Sequence, residues 1–111
     1  MNNAPDNFRA HFNLARLVGQ TGGTDEMIAL LEKSIELNPR FATAQLYLAN
    51  TCLELDRLER AMELAKTAIE IGPDPELVPF GHFILADVYQ RMGRPRDAAR
   101  EMALAQKLRG S

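Results

Sequence analysis

Histidine and cysteine, which are frequent metal ligands and catalytic residues, are scarce in this sequence. The histidines are His11 and His82, and the single cysteine is Cys52. Such chemistry needs several groups that converge on one point. The chain has none of the usual spacings for this, neither HExxH nor CxxC, nor a GxSxG turn, nor a glycine-rich phosphate loop. We therefore predict a protein that is not an enzyme and that binds no cofactor and no metal.

Packing accounts for these residues better than chemistry does. Cys52 falls on an apolar stripe with Leu48 and Leu55, which predicts a buried and inert thiol. The paired carboxylates of Glu59 and Glu63 have the spacing of a solvent-exposed helix face. We interpret them as solvated surface.

Composition places the chain among ordinary soluble domains. It has 111 residues, of which 46% are apolar and 25% are charged, so it can bury a core and is not expected to be disordered. Its apolar runs are too short to span a bilayer, and no secretory signal opens it. The single cysteine excludes an internal disulfide and favours a reducing, cytoplasmic compartment.

Charge is distributed unevenly along the chain. Residues 1–90 carry seven basic and thirteen acidic side chains, whereas residues 91–111 carry six basic and two acidic ones. Nucleic-acid binding proteins usually carry a basic face along their whole length. The acidic body therefore argues against nucleic acid as a partner. The basic end either is a solvated helix or favours head-to-tail stacking of copies.

The sequence repeats itself with a period of 34 residues. Pro5, Pro39 and Pro73 fall into register at this offset, and a third copy follows after three extra residues near 76–78. We call a set of equivalent positions in the copies a column. Further columns are Leu14, Leu48 and Leu85; Ala15, Ala49 and Ala86; Gly22, Asp56 and Gly93; Val18, Cys52 and Tyr89; His11, Gln45 and His82.

Each copy contains two patterns of helical periodicity separated by a break. In the first copy the break is Gly22-Gly23, after which Thr24 is predicted to cap the second helix and Pro39 to end it. The buried stripe of that helix is predicted to be Ile28, Leu31, Ile35 and Leu37. No β-type alternation occurs. We predict an all-α fold of six antiparallel helices, built as three stacked helix–turn–helix units.

Small residues fill the columns where helices must cross closely. They are Ala15, Ala49 and Ala86 in first helices, and Ala61, Ala68, Ala98 and Ala105 in second helices. A single hairpin cannot cover its own apolar face, so neighbouring units have to stack. His11 and His82 are expected to be half-buried between the helices of their own units.

These features resemble the tetratricopeptide repeat family. The resemblance rests on Leu14-Ala15, Gly22, Ser34 and Pro39; on Leu48-Ala49, Ala61, Ala68 and Pro73; and on Leu85-Ala86, Tyr89, Gly93, Ala98 and Ala105. It implies an α–α superhelix with repeats at 8–41, 42–75 and 76–109, the third containing the insertion near 76–78. Residues 1–7 would be a linker or the tail of an upstream repeat, so the chain is interpreted as a fragment of a longer protein. The first helix of the third repeat begins at Pro75 or at Pro79.

The chain departs from the family pattern in one column and at the three-residue insertion near Pro79, and it differs from one subclass of the family. The column that holds tryptophan in the family contains His11, Gln45 and His82. A chaperone-tail clamp of two lysines, two asparagines and an arginine is also absent. Its positions hold Phe12, Arg16, Tyr47, Phe80 and Ile84, so capture of an acidic chaperone tail is disfavoured.

By resemblance, the first helices should line a concave groove that binds a peptide or helix of a partner protein. The predicted groove residues are Phe12, Asn13, Arg16, Tyr47, Asn50, Glu54, Phe83, Asp87, Gln90 and Arg91. Aromatic and arginine side chains of this kind dominate protein–protein binding. Phe12 and Phe83 could equally belong to the core between repeats.

Three other functions remain open at this stage. Copies could self-associate through apolar residues on the last helix, Ala99, Met102, Ala103 and Leu108. The chain could be an accessory domain of an enzyme or of a membrane-associated protein, without inserting into the membrane itself. An RNA-reading helical repeat ranks last, because Glu54 and Asp87 have the wrong charge for that partner.

Overall fold

Six α-helices account for nearly all of residues 7–72 and 74–110, the part of the chain that the computed structural model describes, and no strand occurs in that part. The helices are α1 (Asn7–Gln20), α2 (Thr24–Leu37), α3 (Ala42–Glu54), α4 (Leu58–Ile71), α5 (Val78–Arg91) and α6 (Pro95–Gly110). A short 3₁₀ turn, Pro75–Leu77, precedes α5. The predicted all-α fold is confirmed.

The same backbone turn closes all three hairpins. The residues of one column have positive φ angles at these turns: 89° at Gly22, 63° at Asp56 and 77° at Gly93. The next residue then donates its backbone N–H to a carbonyl five residues earlier. These bonds join Gly23 to Val18 (3.2 Å), Arg57 to Cys52 (2.8 Å) and Arg94 to Tyr89 (2.8 Å). This is the Schellman arrangement, which satisfies carbonyl groups that a helix end leaves free.

The hairpins stack in chain order. The main contacts are made by α1 with α2, α3 with α4, and α5 with α6, and further contacts join α2 to α3 and α4 to α5. Helix α3 also contacts α5, so first helices of successive hairpins lie side by side. The molecule measures 49 × 28 × 21 Å, as expected for side-by-side stacking. The sequential α–α superhelix is thus observed.

The small-residue columns are the tightest part of the core. All of the seven predicted alanines are buried: Ala15, Ala49, Ala61, Ala68, Ala86, Ala98 and Ala105. Ser34 occupies the position of Ala68 and is also fully buried. Its hydroxyl donates a hydrogen bond to the carbonyl oxygen of Phe8 at 2.7 Å, which ties α2 to α1.

Two predictions about α2 were wrong. Thr24 is the first helical residue, Gly23 takes the N-cap position, and no side chain caps this helix end. Asp25 and Glu26 in the first turn still complement the helix dipole. Leu37, the last residue of α2, is exposed, although Leu31 is fully buried.

The leucine column shows that burial depends on stacking. Leu48 and Leu85 are 1% and 3% exposed, whereas Leu14 is 47% exposed and the neighbouring Leu17 is 60% exposed. Helices α3 and α5 each pack on the preceding hairpin, and the described residues contain no such hairpin before α1. An apolar face of α1 is therefore open to solvent.

The sequence left two starts for the third hairpin, Pro75 and Pro79, and the structure uses both prolines near its beginning. Pro75 starts the 3₁₀ turn, and the α-helix proper starts at Val78, with Pro79 buried in its first turn. Proline fits both places because neither needs its missing N–H. The proline register at Pro5 and Pro73 lies outside the described residues.

None of the helices in the described ranges is long and apolar enough to cross a bilayer.

Candidate functional site

Four aromatic rings form a continuous ladder across α1, α3 and the loop before α3. Phe8 meets Phe41 with ring centroids 4.9 Å apart, Phe41 meets Phe12 at 5.2 Å, and Phe12 meets Tyr47 at 5.0 Å. All three contacts are edge-to-face, the arrangement that aromatic quadrupoles favour. The ladder gives the surface between the first two hairpins a rigid, aromatic character.

Two arginines lie over this ladder. The guanidinium carbon of Arg9 is 5.1 Å from the ring centroid of Phe8 and 5.7 Å from that of Phe41. Arg16 lies 5.8 Å from Phe12 and 6.0 Å from Tyr47. Both arginines are solvent-exposed, so each presents a cation beside an apolar ring.

The predicted groove residues of the first two hairpins differ in exposure. Within the ladder, Phe12 is buried, while Tyr47, at its end, is 37% exposed. Asn13 and Glu54 are exposed, and Asn50 is half-buried on the same helix as Tyr47. Among these residues, the structure brings Phe12, Arg16 and Tyr47 into direct contact.

The predicted residues of the third hairpin lie around a different feature. Phe83, Asp87 and Gln90 line a cleft of about 550 Å³ between α5 and α6, together with Ala86, Pro95, Ala98, Ala99 and Met102. Arg109 lies over Phe83 at 5.7 Å. We call this cleft the end cleft. It is mainly apolar and lies at the opposite end of the stack from Leu14 and Leu17.

Arg91 has a bonding pattern of its own. Its guanidinium donates to the carbonyl oxygen of Leu53 at 2.7 Å, and it lies 3.2 Å from a carboxylate oxygen of Asp87 and 3.6 Å from one of Asp56. The side chain therefore links the ends of α3 and α5. These contacts give Arg91 a structural role within the chain, beside the groove role predicted for it.

Sequence reasoning did not select Phe8, Arg9 and Phe41 as part of this surface. The available signal was the clustering of aromatics, because four of the seven Phe and Tyr residues in the chain belong to the ladder. Phe41 is the last residue of the first predicted repeat, and periodicity does not indicate that its ring meets Phe8 and Phe12 of α1.

The histidines are half-buried, as predicted. His11 Nδ1 lies 3.0 Å from the carbonyl oxygen of Asn7 within α1. His82 Nδ1 lies 2.6 Å from Oε1 of Glu101, which joins α5 to α6, and both side chains are largely buried. No group of three or more His, Cys, Asp or Glu side chains is placed to hold a metal ion within residues 7–72 and 74–110.

Cys52 is buried in the core, as expected from its stripe. Burial raises the pKa of its thiol, an effect that Arg60 and Arg57 partly oppose and that Glu32 reinforces. The thiolate is the reactive form, so the thiol is held in its inert state.

Helical hairpins that stack in chain order define the class of an α-solenoid. Within that class, residues 22–78 match the family model of the tetratricopeptide repeat. The chain belongs to the tetratricopeptide repeat family.

Solved structures support the same fold. A crystal structure of MamA superimposes with a TM-score of 0.82 at 20% identity, and this chain spans 60% of the MamA chain's length. A second MamA structure is 28% identical, with a TM-score of 0.80 over 97% of this chain and 63% of that one.

Two further neighbours are domains of similar size. The N-terminal domain of the stress-induced protein STI-1 from C. elegans has a TM-score of 0.84 at 17% identity and aligns over 94% of this chain and 85% of its own. The second TPR of Spaghetti (RPAP3), bound to an HSP90 peptide, has a TM-score of 0.84 at 13% identity and aligns over 96% and 94%. A comparison with curated proteins finds no significant match.

Proposed function

We propose that this chain is a non-catalytic protein-interaction module that binds a partner peptide along its first helices. The observation that carries the proposal is the contact of Tyr47 and Arg16 with buried Phe12. An exposed aromatic ring and a guanidinium, both held by a rigid support, are the side chains that dominate binding hot spots. The RPAP3 neighbour, which was solved with a peptide, supports the same use of the fold.

The surface also indicates the chemistry of the peptide. Arg9 and Arg16 carry positive charge beside exposed aromatic surface, and the sequence around them in α1 has no acidic residue. A peptide with an apolar or aromatic side chain next to a carboxylate would match both features. The clamp for an acidic chaperone tail remains disfavoured, because Phe12, Tyr47, Phe80 and Ile84 occupy four of its five positions.

A displayed library of random peptides tests the proposal. Peptides selected on the native chain should lose about tenfold or more in affinity with Tyr47→Ala or Arg16→Ala, equivalent to ~1.4 kcal/mol each. Lys33→Ala, which changes an exposed cation on α2, is the control and should leave affinity unchanged. If the selected peptides bind Tyr47→Ala and Arg16→Ala as tightly as they bind the native chain, the proposal that they bind in the groove is wrong.

Self-association is the second candidate, and exposed apolar residues on α1 and α6 favour it. Leu14 and Leu17 on α1 are exposed where Leu48 is buried, and Met102 is exposed beside the end cleft. Docking of α1 into the end cleft of a second copy would cover both surfaces. Light scattering over a range of concentrations tests this, with Leu17→Glu expected to abolish any dimer. A strict monomer at every concentration would exclude it.

A further inference from the structure

A second cavity lies between α2, α3 and α4, and its lining differs from that of the predicted groove. Its volume is about 270 Å³, and it is lined by Glu32 and Ile35 of α2, Gln45 of α3, and Arg60, Glu63, Leu64 and Thr67 of α4. We call it the back pocket. None of its lining residues belongs to the predicted groove or to the aromatic ladder, so any ligand here would bind independently of a groove peptide.

Gln45 is the unusual member of this lining. It is only 3% exposed, and its Nε2 donates a hydrogen bond to the carbonyl oxygen of Pro39 at 2.7 Å. Its Oε1 is buried and has no hydrogen-bond partner among the described residues. Reversing the amide would place its oxygen against the Pro39 oxygen, so the orientation is fixed. A buried carbonyl oxygen therefore remains as an acceptor beside the cavity.

The equivalent position in the third hairpin shows why Oε1 of Gln45 has no hydrogen-bond partner among the described residues. His82 occupies the column of Gln45, and Glu101 occupies the column of Leu64. There, His82 and Glu101 satisfy each other at 2.6 Å. In the second hairpin the helix that faces Gln45 supplies Leu64, which has no polar atom to offer. The unmatched acceptor is thus a specific property of the second hairpin and does not follow from the fold.

The other residues that line the back pocket determine which ligand could donate a hydrogen bond to Oε1 of Gln45. Glu32 and Glu63 contribute two carboxylates, and Arg60 contributes one cation, which lies 3.9 Å from Glu32 with about half of each side chain exposed. Formal charge in the pocket is therefore negative. Ile35 and Leu64 supply apolar walls, and Thr67 lies at the edge. A suitable ligand donates hydrogen bonds, carries positive charge and has an aliphatic stem.

We propose that the back pocket binds an alkyl cation, an ammonium or guanidinium group on an aliphatic stem. The stem packs between Ile35 and Leu64, and the cation lies between the carboxylates of Glu32 and Glu63. Oε1 of Gln45 is closed to solvent in the free chain, so the side chains around it move apart before an N–H group of the ligand donates to it. The same chemistry has two sources, a lysine or arginine side chain of a partner protein and a free polyamine.

Titration of the isotope-labelled chain, followed by backbone amide NMR shifts, tests the proposal. The probes are N-acetyl-lysine methylamide and N-acetyl-arginine methylamide for a side chain, putrescine for a polyamine, and N-acetyl-norleucine methylamide as the uncharged match. Saturable shifts at Gln45, Glu63 and Thr67 are expected with at least one charged probe. Tighter binding of an amino-acid probe than of putrescine assigns the site to a partner's side chain, and the reverse order assigns it to a polyamine.

Three substitutions separate the proposal from non-specific charge attraction. Glu63→Gln should weaken binding by about fivefold or more, and Gln45→Met should weaken it similarly while keeping the side-chain volume. Arg60→Ala should tighten binding, because it removes the competing cation. Glu59→Gln, an exposed change on α4 outside the pocket, is the matched control and should have no effect. Circular dichroism would check that Gln45→Met folds.

Several results would overturn the inference. Norleucine shifts equal to those of the charged probes would show that the pocket selects only apolar groups. Equal losses of affinity for Glu59→Gln and Glu63→Gln would show that the probes are attracted by surface charge and not by the pocket. A lack of saturable shifts with any probe, for the native chain and for Arg60→Ala, would mean that water alone occupies the pocket.

Discussion

The guanidinium of Arg91 donates a hydrogen bond to the carbonyl oxygen of Leu53 at 2.7 Å, across a separation of 38 residues. Leu53 lies in the last turn of α3, and its carbonyl oxygen also accepts a hydrogen bond from the backbone N–H of Asp56 at 3.0 Å. Arg91 lies at the end of α5. One side chain therefore adds a hydrogen bond at the helix end of the preceding hairpin and joins two hairpins.

Arg91→Ala should destabilise the fold by about 1–2 kcal/mol, since it removes a charge-assisted hydrogen bond to a helix end and two exposed ion pairs of small value. Urea denaturation measures the loss. Arg96→Ala, an exposed change on α6, should alter stability by less than about 0.5 kcal/mol. Equal effects of the two substitutions would mean that the Leu53 contact contributes nothing.

Asp56→Gly should stabilise the fold by up to ~1 kcal/mol. Asp56 has a φ of 63°, the left-handed region, where Gly22 and Gly93 occupy the equivalent turns. Its ion pair with Arg91, at 3.6 Å between exposed groups, offsets little of that gain. Thermal unfolding measures the change. Asp74→Gly, at a φ of −50°, is the control and should be destabilising. A lower melting temperature for Asp56→Gly would contradict the account.

The stability of the protein should fall as pH rises into the range where thiols ionise. Burial raises the pKa of Cys52 above its ordinary value, so the folded state keeps a proton that the unfolded chain releases. The contribution is fully present below the ordinary thiol pKa and is lost as pH rises towards the raised one. Its slope has an upper limit of ~1.4 kcal/mol per pH unit.

Urea denaturation between about pH 7 and about pH 10 would measure this dependence. Other groups also titrate in this range. The informative quantity is therefore the free energy of unfolding of the native chain minus that of Cys52→Ala. That difference should shrink as pH rises. A constant difference would show that the thiol has the same pKa in both states.

The contact between His82 and Glu101 should appear as a coupling free energy. Both side chains are mostly buried and lie 2.6 Å apart, so removal of one leaves the other without its partner. A double-mutant cycle with His82→Ala and Glu101→Ala should give about 1 kcal/mol of coupling near neutral pH. The pair Arg60 and Glu32, at 3.9 Å between exposed groups, provides the comparison and should give less than half of that.

The repeat period predicted the parts of the fold that depend on local geometry. Ala61 and Ala98 are buried because every hairpin needs small side chains where its helices cross. The turn column of Gly22, Asp56 and Gly93 adopts one conformation because all three hairpins close in the same way. Such positions have the same surroundings in each unit, so sequence alone suffices for them.

Burial that depends on a neighbouring unit was harder to predict. Leu14 and Leu48 occupy one column, but within the described residues only Leu48 has a preceding hairpin that covers it. The bridge from Arg91 to Leu53 depends on the approach of α5 to α3, which periodicity does not encode. The unmatched oxygen of Gln45 depends on Leu64 of the facing helix. In each case the decisive atom belongs to another element.

The sequential packing of the helices has a consequence for dynamics. Because each hairpin contacts mainly its neighbours in the chain, folding can start in any one of them and spread, and opening can be confined to one end. Helix α3 lies between the other hairpins and has the largest number of buried residues, so its amide hydrogens should exchange most slowly. Within the described residues α6 packs mainly on α5, so its amides should exchange through local fraying long before the centre of the stack opens.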